Sequence, residues 1–555
     1  MHDNLFVLFI LVLVSVYKVH VLLHHKFCML RFCFLQQVSP LSFSLLICSH
    51  LSPILFLELH CDCAMNLSEP NKEHVVPNPK PTHPIKSKLT KFTFFSLSIL
   101  VLFIAISLGF LTRTNYFKVH YLKHSLKSSS QTLIRAIGSL ISPQKSKLFV
   151  SSHCVLWMAP FLSGGGYSSE GWSYILALHN NIHSRKMHAF RLGIEHHGDL
   201  ESLDFWVGLP EDMKNLAREL YQTQCRMNET IVVCHSEPGA WYPPLYETSL
   251  CPPSFYHEFK SVIGRTMFET DRVNAEHVER CNRMDYVWVP TDFHVSTFVE
   301  SGVDPSKLVK IVQPIDVKFF DPDKYKPFDL ASRAKLVLGS GAVNGSFVLL
   351  SIFKWEYRKG WDVLLKSYLK EFSKDDKVAL YLLTNPYHTD RDFGNKIIDF
   401  VKNSNLAEPI SGWAAVYVID THIAQSEFPR VYKAANAFVL PTRGEGWGRP
   451  IVEAMSMSLP VIATNWSGPT EYLTDDNSYP LPVDRMSEVM EGPFKGHLWA
   501  EPCEYKLQVL MRQVMDNPTE AKAKGRKARK DMKERFSPEI VADIVMNLIQ
   551  NILLQ

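Results

Sequence analysis

The chain has 555 residues, more than one compact domain holds. Its 46% hydrophobic, 12% aromatic and 21% charged content is that of a globular protein and excludes wholesale disorder. A net charge of +3 argues against a nucleic-acid partner, and 11 cysteines are too few for a disulfide-built scaffold of this length.

In chain order, residues 1–64 come first. They hold five of the cysteines (Cys28, Cys33, Cys48, Cys61, Cys63) and only three acids, Asp3, Glu58 and Asp62. Leu5 to Tyr17 is apolar enough for a signal core, but Met1-His2-Asp3-Asn4 lacks the basic flank such a core needs. The stretch reads either as a membrane-embedded leader or as a gene-model extension with translation starting at Met65, and the second reading is preferred. Residues 65–91 are polar and proline-rich, as a tail is. Residues 92–112 carry no charge and are long enough to cross a bilayer, so a single transmembrane helix is expected there. Lys86, Lys88 and Lys91 precede it, against Arg113 and Lys118 after it. The positive-inside rule then gives a type II anchor: a cytosolic N-terminus, with the rest in the Golgi or ER lumen. Residues 113–147 read as a stem.

Beyond residue 148 short apolar runs alternate with amphipathic stretches. Runs at 149–157, 230–234 and 286–289, then 347–353, 378–383, 416–419, 437–440 and 461–463, read as buried strands. Trp361, Leu364, Leu365, Tyr368, Leu369 and Phe372 fall on one helical face. This alternation predicts an α/β fold of two doubly wound parallel sheets. The first domain is placed at 148–325, a linker at 326–342 and the second domain at 343–535. Residues 536–555 form a final helix, with Ser537 as cap and Pro538 at its start.

Three motifs carry chemistry. Gly164-Gly165-Gly166 sits at a strand-to-helix turn, where free backbone N–H groups can meet an anionic ligand. It is neither a dinucleotide fingerprint nor a phosphate-binding P-loop. The run from Pro441 and Thr442 through Arg443-Gly444-Glu445-Gly446-Trp447-Gly448 leads from a buried strand into a helix that carries Glu453. Two carboxylates eight positions apart, beside a helix start, can hold the hydroxyls at both ends of a polyol ligand. Lys354, Arg358 and Lys359 follow another strand end, where cations suit a diphosphate leaving group. Asp321-Pro322-Asp323 matches a metal-binding D-x-D pattern but falls near the linker and reads as surface acids. Asn228, Asn344 and Asn465 begin N-glycosylation sequons, usable only on a lumenal domain.

Glu445 and Glu453, with Tyr432-Lys433-Ala434-Ala435, Leu440 to Gly448, Glu453-Ala454-Met455, Leu459 to Thr464 and Gly468-Pro469-Thr470-Glu471, resemble the E-x7-E region of retaining GT-B glycosyltransferases of family four, the group 1 glycosyl transferases, in a plant-like wording. The resemblance covers about 148–555. It implies a GT-B architecture of two facing Rossmann-like domains, an acceptor domain and a nucleotide-sugar domain, with the last helix crossing back to the first. By position, Glu445 would hold donor-sugar hydroxyls with Gly446, Trp447 and Gly448, and Glu453 the ribose. Lys359, with Lys354 or Arg358, would neutralise the diphosphate; the family has Arg at a different spacing, so the choice between those two stays open. His235 and Glu269 are the catalytic candidates of the first domain, Glu269 standing near where relatives carry His, and His196-His197 is a further candidate there. The implied activity is metal-independent, retaining transfer of a hexosyl group from a UDP- or GDP-sugar to a glycan, lipid or protein, with no cofactor. The alternative is an inactive, membrane-anchored scaffold that binds a sugar nucleotide or a protein partner.

Overall fold

The computed structural model describes residues 153–185, 190–386 and 391–555. The expected leader, tail, membrane span and stem lie outside the described residues.

The first sheet is built from β1 (Cys154–Ala159), β2 (Arg191–His196), β3 (Thr230–His235), β4 (Ser261–Arg265), β5 (Tyr286–Val289) and β6 (Leu308–Lys310). Its order is β2-β1-β3-β4-β5-β6, and every pairing is parallel. Helices α1 (Gly166–Arg185), α2 (Leu203–Gly208), α3 (Glu211–Tyr221), α4 (Ala275–Arg283) and α5 (Asp292–Ser301) join the strands. Side chains alternate across a strand, so one sheet feeds two cores. Val155, Trp157 and Ala159 pack beneath α1, while Met158, Val232 and Cys234 pack on the opposite side with Phe298 of α5. Cys154–Cys225 and Cys234–Cys251 are disulfides with Cα separations of 5.6 and 5.7 Å.

The second sheet takes β7 (Lys335–Leu338), β8 (Phe347–Lys354), β9 (Val378–Asn385), β10 (Ala415–Ile419), β11 (Ala437–Leu440), β12 (Val461–Thr464) and β13 (Tyr479–Leu481). The order is β13-β12-β11-β8-β9-β10-β7. Only β7, at the edge, is antiparallel. This strand lies inside the expected linker 326–342: Lys335–Leu338 finds backbone partners on β10, which would otherwise be an open edge. Helices α6 (Trp361–Glu371), α7 (Phe393–Asn403), α8 (Phe428–Lys433), α9 (Arg449–Ser456), α10 (Glu504–Asp516) and α11 (Pro518–Arg535) flank this sheet. A hairpin of β14 (Val483–Glu488) and β15 (Leu498–Pro502) stands apart from both sheets.

The chain ends in α12 (Pro538–Leu554), which packs on α1. Val541, Ala542, Val545, Met546, Ile549 and Ile552 recur at helical spacing and join the first domain's core. Val545 and Ile549 are fully buried, and truncating either to Ala costs about 1–4 kcal/mol. Among the described residues, one helical stretch, Pro518–Leu554, is apolar and long enough by composition to cross a membrane. It holds both α11 and α12, and the apolar face of α12 is covered by α1. The chain crosses between the domains twice, and Ile315 donates its N–H to the Phe536 carbonyl at 2.9 Å where the crossings meet.

Candidate functional site

In an open parallel sheet the chain leaves two neighbouring strands in opposite directions at one point, and a crevice opens there beyond their carboxyl ends. In the second sheet that point lies between β8 and β11. The loops that follow these strands are 355–360 and 441–448. They hold Arg358, Lys359 and Glu445, and α9 begins where the second loop ends.

Backbone bonds stitch the two loops together. The Arg358 carbonyl accepts from the Arg443 N–H at 2.7 Å and from the Thr442 hydroxyl at 3.2 Å. Gly360 has φ +67°, and a Cβ there would stand 1.8 Å from the Pro441 carbonyl oxygen, so the approach requires glycine. Gly444 allows a second close approach, because its Cβ would fall 2.2 Å from the Glu269 carbonyl oxygen of the first domain. The glycine-rich loop is thereby pressed against residues 267–269.

Lys359 donates to both oxygens of Glu445, at 2.7 and 2.9 Å. Arg358 Nη1 lies 3.6 Å from the same carboxylate and donates to the Gly444 carbonyl at 2.6 Å. Its Nη2 lies 3.1 Å from Glu356 and 3.5 Å from Glu269 across the domain boundary. Burial pushes the Glu445 carboxyl up, but Lys359 and Arg358 outweigh it and hold it below its ordinary value. The three acids around Arg358 in turn raise its pKa against the pull of burial. Lys354 is exposed at the end of β8.

Glu453 sits in α9. The Tyr432 hydroxyl donates to its Oε2 at 2.9 Å, and Arg449 Nε lies 3.9 Å from its Oε1. Burial raises the Glu453 pKa, and Arg449 and Tyr432 offset this only in part. Trp447 does not offer its ring to the crevice. It is buried against Tyr472 and Phe536, with ring centroids 5.2 and 5.6 Å away, so its backbone is the part open to a ligand role.

Arg443 anchors the loop from below. Its guanidinium is almost fully buried, forks onto Asp362 with two bonds of 2.8 Å, and donates to Glu501 at 2.9 Å. It also lies 3.7 Å above the Tyr357 ring. Glu501 belongs to β15, so the hairpin is tied to this loop. The other side of the hairpin meets the first domain. Leu498 exchanges two bonds with Asp271, His497 Nδ1 lies 2.9 Å from the Thr270 hydroxyl, and Phe494 packs on Phe268.

In the first sheet the reversal point lies between β1 and β3. Gly166 opens α1, and a Cβ there would meet nothing within 4 Å. Gly165 lies beside Asp199. His235 ends β3 but faces inward and is fully buried. Its Nδ1 accepts from Trp157 Nε1 at 3.0 Å, which leaves the proton on Nε2, 3.1 Å from Glu170. His235, a catalytic candidate from the sequence, is thus shut into the core, with Nε2 in an ion-pair contact with Glu170 that makes no hydrogen bond. Arg265 forks onto the other Glu170 oxygen at 2.9 and 2.6 Å and reaches the Ile311 carbonyl at 2.8 Å. Burial raises the Glu170 pKa, yet Arg265 and His235 bring it down to about 2. This buried network went unnoticed in the sequence. Its one signal was Glu170, the only charge in the otherwise uncharged run from Gly166 to Ser184. His197 is also engaged, with Ser249 and Ser236, and burial lowers it to about 4. His196 holds the Asp199 carbonyl at 2.8 Å. Glu269 remains half-buried beside Arg358. Asp321 of the D-x-D sequence is bound to Arg529 at 2.8 Å.

Comparison with known proteins adds the following. The chain is 22% identical over 231 residues to the D-inositol 3-phosphate glycosyltransferase of Kineococcus radiotolerans, covering 41% of this chain and 48% of that one. It is 22% identical over 187 residues to the mannosylfructose-phosphate synthase of Agrobacterium fabrum, covering 33% and 38%. It therefore spans about half the length, or less, of these curated relatives. Among solved structures, Anabaena HepE in complex with UDP and glucose gives a TM-score of 0.48 at 13% identity, covering 72% of this chain and all of that one. The sucrose-phosphate synthase of Thermosynechococcus elongatus gives 0.48 at 13% identity, covering 72% and 99%. Residues 346–489 match the family described as glycosyl transferases group 1. Arg358, Lys359, the glycine-rich loop, Glu445 and Glu453 all lie inside that matching segment, so the second domain is similar to this family at the residues that line its crevice.

Proposed function

We propose that the protein is a retaining glycosyltransferase that moves a hexosyl group from a UDP- or GDP-sugar to a glycan, lipid or protein acceptor without a metal. The observation that carries this reading is the meeting of Arg358 and Lys359 with Glu445 at the reversal point of a parallel sheet, with Glu453 in the helix that follows the Glu445 loop. Glu445 accepts hydrogen bonds from the donor sugar, and the Oε1 side of Glu453 accepts from the ribose. Lys359 and the start of α9, with Arg358 or Lys354, stabilise the diphosphate as it leaves. The acceptor oxygen bonds to the anomeric carbon as the bond to the diphosphate breaks, and the acceptor proton passes to the departing diphosphate. Glu269, next to Arg358 and the glycine-rich loop, orients the acceptor side. His235 and Glu170 act behind it by holding Trp157, Arg265 and residue 311 in place. A membrane helix anchors the chain with these domains in the Golgi or ER lumen. Two disulfides in the first domain fit that oxidising compartment.

The test is a panel of UDP- and GDP-sugars read by thermal shift and by donor hydrolysis. One of them raises the unfolding temperature, since a ligand that binds the native state stabilises it by mass action. Glu453→Ala abolishes turnover and keeps the far-ultraviolet circular dichroism of the native chain. Unchanged turnover in that variant rules out the site.

A further inference from the structure

We infer that Asn228 and Asn344 are N-glycosylated and that Asn465 is not. The inference rests on the lumenal reading above and adds to it two modification sites chosen by their place in the fold.

All three asparagines are exposed and begin Asn-X-Ser/Thr sequons, so exposure alone does not separate them. Sheet direction does. Strands of a parallel sheet all start on one edge and end on the other, and the ligand crevice lies beyond the ends. Asn228 lies on the turn Met227–Glu229, two residues before β3 starts, and Cys225 ties the segment leading into this turn to the start of β1. Asn344 lies three residues before β8 starts, next to Ser346, whose hydroxyl donates to the Val343 carbonyl at 2.8 Å. Both therefore stand on the edges opposite the crevice, where a bulky, hydrated glycan lies clear of the described contacts between the domains.

Asn465 stands on the other edge, directly after β12. The third residue of its sequon, Ser467, donates to the Glu445 carbonyl at 2.9 Å, whereas Thr230 of the Asn228 sequon, equally buried, donates to the Arg226 carbonyl on the opposite edge. The Trp466 ring between them packs at 5.1 Å on Phe293 of the first domain. A glycan on Asn465 would enter the mouth between the domains, beside Glu445. A chain carrying one would not reach the arrangement described above.

The modification joins the Asn side-chain nitrogen to the anomeric carbon of a lipid-linked oligosaccharyl diphosphate. The bond from that carbon to the lipid diphosphate breaks, the lipid diphosphate leaves, and the amide gives up one proton.

The experiment uses the full chain expressed in a human cell line. The protein is treated with peptide-N-glycosidase, which leaves aspartate wherever a glycan is released, and is then mapped by mass spectrometry. The expected result is aspartate at 228 and 344 and asparagine at 465. Asn228→Gln and Asn344→Gln each remove one step of the gel shift, and the double variant keeps wild-type donor hydrolysis. Asparagine at either 228 or 344, or aspartate at 465, overturns the inference. Alkylation of the same protein in denaturant, without reductant, separates this failure from failure of the lumenal reading. If Cys154, Cys225, Cys234 and Cys251 resist alkylation while 228 and 344 are bare, only the glycosylation proposal falls. If those cysteines react freely, both fall.

Discussion

Lys359→Met removes one charge from the crevice and keeps most of the side chain's bulk. In the native chain the ammonium touches both oxygens of Glu445, whose side chain is only 8% exposed. A buried carboxylate stripped of its partner costs about 3–5 kcal/mol. Arg358 remains 3.6 Å away, so the expected loss of stability is smaller, about 1–3 kcal/mol. Unfolding temperature should fall by about 2–4 °C per kcal/mol. The pairing holds the Glu445 pKa below its ordinary value, so it stabilises the fold above about pH 4.5 and fades as pH drops through the folded value. The variant should therefore lose less stability than the wild type between neutral and acid pH. Turnover should fall further than stability. A hydrogen bond to a charged group contributes about 1.5–3 kcal/mol, or about 10- to 150-fold in kcat/KM at a tenfold change per 1.4 kcal/mol. Steady-state donor hydrolysis and thermal unfolding measure the two effects separately. A lowered unfolding temperature with unchanged kcat/KM would refute the reasoning, because Lys359 would then serve Glu445 alone and not the leaving diphosphate.

Tyr432→Phe removes the hydroxyl that holds Glu453 and keeps the ring against Phe320 and Phe438. Donor KM should rise about tenfold with a smaller change in kcat. The lost bond also lets burial raise Glu453 further, so the acid limb of the kcat/KM profile should move to higher pH; a limb that stays in place would separate Tyr432 from donor binding. Cys225→Ser opens the 71-residue separation closed by the bond to Cys154, and chain entropy sets the loss at about 4 kcal/mol. Thermal unfolding of this variant should fall between that of the oxidised and the fully reduced wild type, because Cys234–Cys251 stays closed, and equal stability with and without the bond would count against the disulfide.

The strands of the second domain were legible because they are buried on both faces and read as continuous apolar runs. Residues 437–440 and 378–383 fall within β11 and β9, and β10 differs from its expected run by one residue. The amphipathic run ending at Phe372 became α6 for a similar reason: six apolar residues share one face. The crevice was legible because glycines and charges cluster at strand ends. Other parts were not. Glu170 and Arg265 are 95 positions apart: the register of β3 and β4 sets Arg265 opposite His235, and the packing of α1 on the sheet brings Glu170 to both. The β7 edge strand offers only the three apolar residues Leu336 to Leu338 inside a polar stretch, too short a run to stand out. The hairpin is hidden because the burial of β14 follows no strict alternation. His235 misled because a histidine after a strand reads alike whether it faces a cleft or a core, and the indole of Trp157 decides which.

The hairpin has a mechanical consequence. Two chain crossings that share a hydrogen bond at Ile315 and Phe536 would by themselves let the domains swing about one line. The hairpin adds a further attachment to those of Arg358 with Glu269 and Trp466 with Phe293. Any swing that widens the crevice must break it at one of its two ends. At the Arg443 end stand a forked pair with Asp362, a bond to Glu501 and a backbone bond from Ala500. At the other end stand two bonds to Asp271, one between His497 and Thr270, and a pair of phenylalanine rings. The charged anchor is the harder to part, so the hairpin travels with the second domain and lets go of residues 268–271. Those residues adjoin Glu269. Each opening therefore frees from its outer side the loop that touches the glycine-rich turn, and each closing sets that loop again.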